Sequence, residues 1–245
     1  MPGKPCRVSS TGYLHLIVRG NNKQVLFEEE SDYKFFLSRL GRCCRETSIR
    51  ISAYCLMENH VHLLVNDREH TVSGMMHDLV RSYSAYYNGK YERTGHLFQG
   101  RFLSEPVENE RYLFTVFRYI LNNPKKAGIC PAPAYRWSSY KAYFRENAAL
   151  DLGFIRDRFP TAESYREYLD APNEDQCLEY EKPSHGDGKA LEILRDSCKV
   201  RSGTELQAWD RQRRNGALQC LKKEGLTLRQ IERLTGIGRS IIQRA

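Results

Sequence analysis

Two histidines one residue apart, His60 and His62, lie inside the apolar run YCLMENHVHLLV (Tyr54–Val65). In an extended chain residues i and i+2 share a face, so both imidazoles point one way and Val61, Leu63 and Val65 point the other. Two neutral ring nitrogens on a stiff strand are the beginning of a metal site. Two incidental histidines, one of them capping the turn, produce the same spacing. Further along, Tyr119 and Asn123 are four residues apart in a segment with helical periodicity and therefore share a helix face. Asn123 offers a carbonyl oxygen as a third ligand, and Tyr119 offers a phenol beside it. A tyrosine attacking a phosphodiester stores the bond energy in a phosphotyrosine, so strand transfer needs no nucleotide hydrolysis. Consistently, the chain has no G-x-x-x-x-G-K-[ST] loop. Helix packing for Tyr119 and a C-cap before Pro124 for Asn123 are the competing roles, and spacing leaves both open.

The elements that must position these groups are readable in outline. Thr11–Asn22 predicts a strand ending in a Gly-Asn turn, followed by a helix with Ser31 as N-cap. Ile49–Asp67 predicts a β-hairpin turning at Glu58-Asn59, and Val72–Asn88 a second helix. His96–Val107 predicts another strand with Gly100 as a bulge; a third helix, N-capped by Asn109, should stop at Pro124. The order β-α-β-β-α-β-α fits an α+β fold, a ferredoxin-like antiparallel sheet with helices on one face. Residues 1–145 then form one domain, 146–188 an extension and acidic linker, and 189–245 a small all-α unit.

The chain has 245 residues, of which 40% are hydrophobic, enough for a real core. The eight cysteines form no C-x-x-C pair, and two are adjacent, which suits neither a zinc ribbon nor a disulfide framework. No apolar run approaches the ~20 residues of a membrane span, and MPGKPCRVSSTGYLHLIV lacks a signal-peptide core, so a cytoplasmic protein is expected. The net charge of +8 is unevenly spread: +7 over residues 1–150, −5 over 151–185 and +6 over 186–245. Two basic blocks flanking an acidic one suit a polyanionic partner.

Taken in order, AYCLMENHVHLLV, GHLFQGRF, FRYILNNPKKAGI and YRWSSY, with YLHLIVRGNNKQVLF near the N-terminus, resemble the REP-associated tyrosine transposases. These are single-tyrosine transposases of the His-hydrophobic-His (HUH) group, and the resemblance covers about residues 8–145. It implies that His60 and His62 are a metal pair, Tyr119 the nucleophile and Asn123 the third ligand, with magnesium or manganese as the cation. It implies cleavage of hairpin-containing single-stranded DNA through a 5′-phosphotyrosine. Glu58 departs from the proline that many relatives carry before Asn-His, which bears on the turn rather than the chemistry. The resemblance leaves open a homodimer, and whether the tyrosine helix serves its own subunit or a partner.

Three further features bear on DNA. Lys125 and Lys126, just past the tyrosine helix, are candidates for backbone phosphates. Tyr83, Tyr86, Tyr87 and Tyr91 either stack unpaired bases or, at helical spacing, build a core or dimer seam. In the tail, EGLTLRQIERLTGIGRSIIQRA (about 226–245) has helix-turn-helix rhythm: Thr227 caps, Gly236 turns, and Ile237 and Ile241 pin the second helix. That leaves Arg229 on the first helix and Arg239, Ser240, Gln243 and Arg244 on the second for DNA, duplex included. A protein-interaction hairpin is the other reading of this unit. A domesticated protein that binds hairpins without cutting is the other reading of the whole.

Overall fold

A computed structural model describes residues 8–145, 150–173, 175–178 and 187–245. Residues 1–7, and residues 146–149, 174 and 179–186 of the extension and acidic linker read from the sequence, lie outside these. The chain divides into two compact units, residues 1–180 and 181–245.

The first unit is built on a four-stranded antiparallel sheet of order β2-β3-β1-β4, from β1 (Tyr13–Arg19), β2 (Arg50–Met57), β3 (His60–Asn66) and β4 (Leu103–Pro106). Helix α1 (Glu30–Glu46) links β1 to β2, and α2 (Val72–Lys90) links β3 to β4. This is the split β-α-β order of a ferredoxin-like sheet. Leu14, Leu16 and Val18 of β1, with Val61, Leu63 and Val65 of β3, face α1 and α2 in one core.

The opposite face is covered too, where helices were expected on one face alone. Helix α3 (Glu110–Leu121) packs on β2 and β3. Its Leu113, Val116, Phe117, Ile120 and Leu121 join Ala53, Cys55, Met57 and Leu64 in a second core. The reason is in the strands: β2 and β3 are buried at both parities, with Ala53, Cys55, Met57 and Leu64 turned to the second face, as in a sheet covered on two sides. Each large apolar side chain buried this way contributes roughly 1.5–3 kcal/mol. Helices α5 (Gly153–Arg158) and α6 (Ala162–Asp170) complete this second core through Ile155, Tyr165 and Leu169.

Other local expectations shift for identifiable reasons. Helix α1 is capped at Glu29 rather than Ser31, because the buried Asp32 accepts from the Glu28 and Glu29 amides at 2.9 and 3.0 Å. Of the strand expected over His96–Val107, only Leu103–Pro106 joins the ladder; Phe98 makes an isolated bridge to Gly20, and Gly100 at φ +65° breaks the run. The YRWSSY segment lies along the outer edge of β2, where the Leu56 amide donates to the Trp137 carbonyl at 2.9 Å and the Ser139 amide to Tyr54 at 3.0 Å. An otherwise open edge is thereby closed.

The four tyrosines of α2 belong to the fold. The Tyr83 hydroxyl donates to the Leu26 carbonyl, Tyr87 donates to Val25 and Glu28, and Tyr86 and Tyr91 both donate to the Asp32 carboxylate. These bonds bind α2 to the segment before α1 and to the first turn of α1, and they answer the base-stacking alternative in favour of core.

The second unit holds α7 (Asp187–Cys198), α8 (Arg211–Lys223), α9 (Leu228–Thr235) and α10 (Arg239–Arg244) around Leu194, Leu206, Leu218, Leu221 and Ile231. Thr227 caps α9, accepting from the Gln230 amide at 3.2 Å. Gly236 ends α9 at φ +69°, a left-handed conformation that costs a side-chain-bearing residue. Ile242, fully buried, pins α10; Ile241, expected in that role, is 37% exposed.

Candidate active site

The sheet register gathers the site. On β3, His60 and His62 project from the same face, with Arg19 opposite His60 and Ile17 opposite His62 on β1. His15, two residues before Ile17, is the diagonal neighbour of His62. Glu105 of β4 pairs with His15. From above, α3 lowers Tyr119 onto this face: its ring centroid lies 5.7 Å from that of His62 and 6.0 Å from that of His15, both edge to face.

Helix α3 begins where Asn109 accepts from the Tyr112 amide at 2.8 Å, a cap of about 1 kcal/mol. It ends at Leu121, earlier than expected, and Pro124 sits in the first turn of a short α4 (Asn123–Lys126) instead of terminating the helix. Proline lacks the amide that would reach the Ile120 carbonyl, and its ring crowds that turn. Asn122 takes up the bend at φ −87°, ψ 1°. Asn123 nevertheless reaches the sheet, with Nδ2 3.3 Å from His62 Nε2. Tyr119, His62 and Asn123 are thus brought together, and His60 stands beside them with its ring centroid 4.9 Å from that of His62.

Both histidines are held from behind. His60 Nδ1 lies 2.7 Å from Asn59 Oδ1, and His62 Nδ1 lies 3.0 Å from His15 Nε2. Burial pushes the His15 imidazole down to about 3. Burial also holds His62 well below the usual histidine range, with neighbouring His15 and His60 adding to it. His15 and His62 are therefore neutral near pH 7, the form that carries a lone pair for a cation.

Among the described residues no three His, Cys, Asp or Glu side chains are arranged so that they could hold a metal ion by themselves. The donor set is instead two imidazoles and one amide, with Nδ1 of each imidazole engaged by a partner behind it and His62 Nε2 facing Asn123. An Nδ1 held by an outer partner is how metal-bound imidazoles are oriented. The residues present fit a divalent cation that completes its coordination with water and substrate oxygens.

Tyr119 is buried, and the Lys126 ammonium lies 4.4 Å over its ring while donating to the Asp175 carbonyl at 2.8 Å. Lys125 is exposed. In the second unit Arg229, Ser240 and Gln243 are exposed, Arg239 pairs with Glu232 at 2.7 Å, and Arg244 Nε donates to the Ser240 carbonyl at 2.9 Å. The groups that sequence reasoning left uncommitted or missed are His15, Glu105, Asn59 and Asp175. A histidine alternating with apolar residues in YLHLIVR was the available sign for His15; Glu105 had none.

This sheet, its His-x-His strand and the tyrosine helix define a single-tyrosine, HUH-type transposase domain. Residues 8–123 match the family of IS200-like transposases, and this segment is a domain of that family. Among solved structures, a REP-associated tyrosine transposase bound to a REP hairpin has the same fold, with a TM-score of 0.56 and 14% identity. The match covers 76% of this chain and all of that one. No curated protein sequence matches the chain.

Proposed function

We propose that the protein is a divalent-metal-dependent single-strand DNA endonuclease and strand transferase, with hairpin-containing DNA as its substrate. The observation that carries this reading is the convergence of Tyr119 and Asn123, from two helices, on His62 of the sheet. Tyr119 Oη attacks a phosphodiester phosphorus and the bond to the 3′-oxygen breaks. The phenol gives up its proton, the departing 3′-oxygen gains one, and the 5′-phosphate stays on the tyrosine. A second 3′-OH reverses the step with no net loss of phosphodiester bonds. His60, His62 and the Asn123 carbonyl oxygen would hold magnesium or manganese, which when bound polarises the scissile phosphate and offsets its developing charge.

Hairpin DNA as substrate is supported by the fold shared with a transposase whose structure holds a REP hairpin. Lys125 and Lys126 follow the tyrosine helix as contacts for substrate phosphates. Arg229, Arg239, Ser240, Gln243 and Arg244 face DNA from the second unit, duplex DNA included. A cytoplasmic site of action suits the described cysteines, all of them free thiols, and no helix among the described residues is long and apolar enough to cross a membrane. The competing reading is a protein that grips hairpins without cutting. Incubation of end-labelled single strands with protein and manganese separates the two: a covalent protein–DNA adduct supports cleavage, and tight binding without adduct or nick supports the rival.

A further inference from the structure

Behind His62 lie two polar groups, His15 and Glu105, that no part of the proposed reaction has used. Glu105 Oε2 lies 4.0 Å from His15 Nδ1, His15 Nε2 lies 3.0 Å from His62 Nδ1, and His62 Nε2 lies 3.3 Å from the Asn123 amide nitrogen. The middle of the line is sealed, with His15 0% and His62 2% exposed. His15 Nδ1 is buried and has no hydrogen-bond partner at ordinary distance; the Glu105 carboxylate is the acidic group it faces. That carboxylate is itself anchored, accepting from the Tyr112 hydroxyl at 2.6 Å and from the Leu178 amide at 3.2 Å through the same oxygen.

We infer that Glu105 and His15 are positioning residues that fix the tautomer of His62 and so keep its Nε2 lone pair aimed at the metal position. The inference rests on the two-histidine site proposed above. Two proton arrangements are open to the pair. A neutral imidazole has one N–H and one lone pair, and His15 and His62 share one hydrogen bond, so the tautomer of one dictates that of the other. In the first arrangement His15 carries its proton on Nδ1, towards the carboxylate. Its Nε2 then accepts from His62 Nδ1–H, and His62 Nε2 is left with a lone pair facing the Asn123 amide N–H. In the second, His15 donates through Nε2, a lone pair on its Nδ1 faces the negative Glu105, and His62 Nε2 is blocked by a proton. A carboxylate 4.0 Å from a buried ring nitrogen favours the proton there and excludes the second arrangement. The choice does not depend on which way the Asn123 amide is turned. Metal entry then requires only that Asn123 rotate to offer Oδ1. The line is the carboxylate–histidine–metal arrangement extended by one imidazole.

Two measurements on the full chain test this. Long-range proton–nitrogen spectra of the metal-free, histidine-labelled protein should show His15 and His62 both protonated at Nδ1; a proton on His62 Nε2 overturns the relay in the wild type, whatever the variants do. Manganese titration followed by electron paramagnetic resonance should show affinity weakened roughly 10- to 100-fold in Glu105→Ala and His15→Ala, and partly restored in Glu105→Gln, whose amide oxygen still accepts. His62→Ala is the control. Its loss of manganese binding beside full affinity in Glu105→Ala overturns the relay alone. Manganese binding that survives His62→Ala removes the site on which both readings stand.

Discussion

Arg118 holds Asp175 by a two-pronged ion pair, Nε 2.6 Å from Oδ2 and Nη2 2.8 Å from Oδ1, one residue before Tyr119. The side chains are 14% and 10% exposed, so the pair is largely shielded from solvent. The Asp175 carbonyl also accepts from Lys126, so a single residue grips both ends of the segment that carries the tyrosine and the third ligand. Asp175→Ala should therefore destabilise the first unit by about 2 kcal/mol. That corresponds to roughly 4–8 °C in thermal midpoint for a chain of this size. Thermal unfolding by circular dichroism reads this, and an unchanged midpoint would show that the pair contributes nothing.

Tyr119→Phe should abolish the covalent adduct and leave hairpin affinity within about twofold. The substitution removes the attacking oxygen and keeps the ring that packs against His15 and His62. Denaturing gels of labelled single strands report the adduct. An adduct formed by the Phe variant would move the nucleophile elsewhere.

Acid should weaken the fold through the buried histidines. With a folded-state value of about 3 against 6.5 unfolded, His15 binds fewer protons in the native protein across that interval. Stability is then fully present above pH 6.5 and falls as the pH drops towards 3. Between pH 6.5 and 5 the loss from His15 alone is about 1–2 kcal/mol, and His62, displaced in the same direction, adds to it. Urea midpoints measured across this interval should fall with pH, and less steeply in His15→Gln. Equal slopes would place the acid sensitivity in other groups.

Removing residues 181–245 should flatten the salt dependence of hairpin binding while leaving cleavage of a minimal single strand in place. The cut belongs before α7, because Ala190, Leu194 and Cys198 share one core with α8 to α10. Every phosphate that the shortened protein no longer neutralises should lower the slope of log K against log salt by roughly 0.7–0.9. Binding measured at several salt concentrations, beside single-turnover cleavage, separates the outcomes. An unchanged slope makes the second unit a protein-interaction element, and failure of a folded truncation to cleave makes it part of the active site.

What could be read from the sequence was local. His60 with His62, and Tyr119 with Asn123, are related by i+2 and i+4, distances that secondary structure alone converts into a shared face. Asn109 and Thr227 were legible as caps for the same reason. Glu105 and His15 enter the site only through the pairing register of β4, β1 and β3, which no local pattern encodes. The second covered face was signalled by the continuous apolar triplet Leu63–Val65 of β3, where the alternation of the two histidines drew attention away from Leu64. The tyrosines of α2 had the right spacing for either role, and the acceptors that decided it, Val25, Leu26 and Asp32, come from a distant segment.

The bend at Asn122 separates two parts that a continuous helix would have welded. Tyr119 rides on α3, which is embedded in the second core, whereas Asn123 opens α4, and the joint between them is moored by Asn122 Nδ2 donating to the Leu169 carbonyl at 2.7 Å. Nucleophile and third ligand therefore hang from one fixed pivot on separate arms. Asn123 can exchange its amide nitrogen for its oxygen in front of His62 without dragging the phenol along. Pro124 keeps the arms distinct, so its replacement by a helix former would fuse them into one lever, and every adjustment of the ligand would then be felt at the tyrosine.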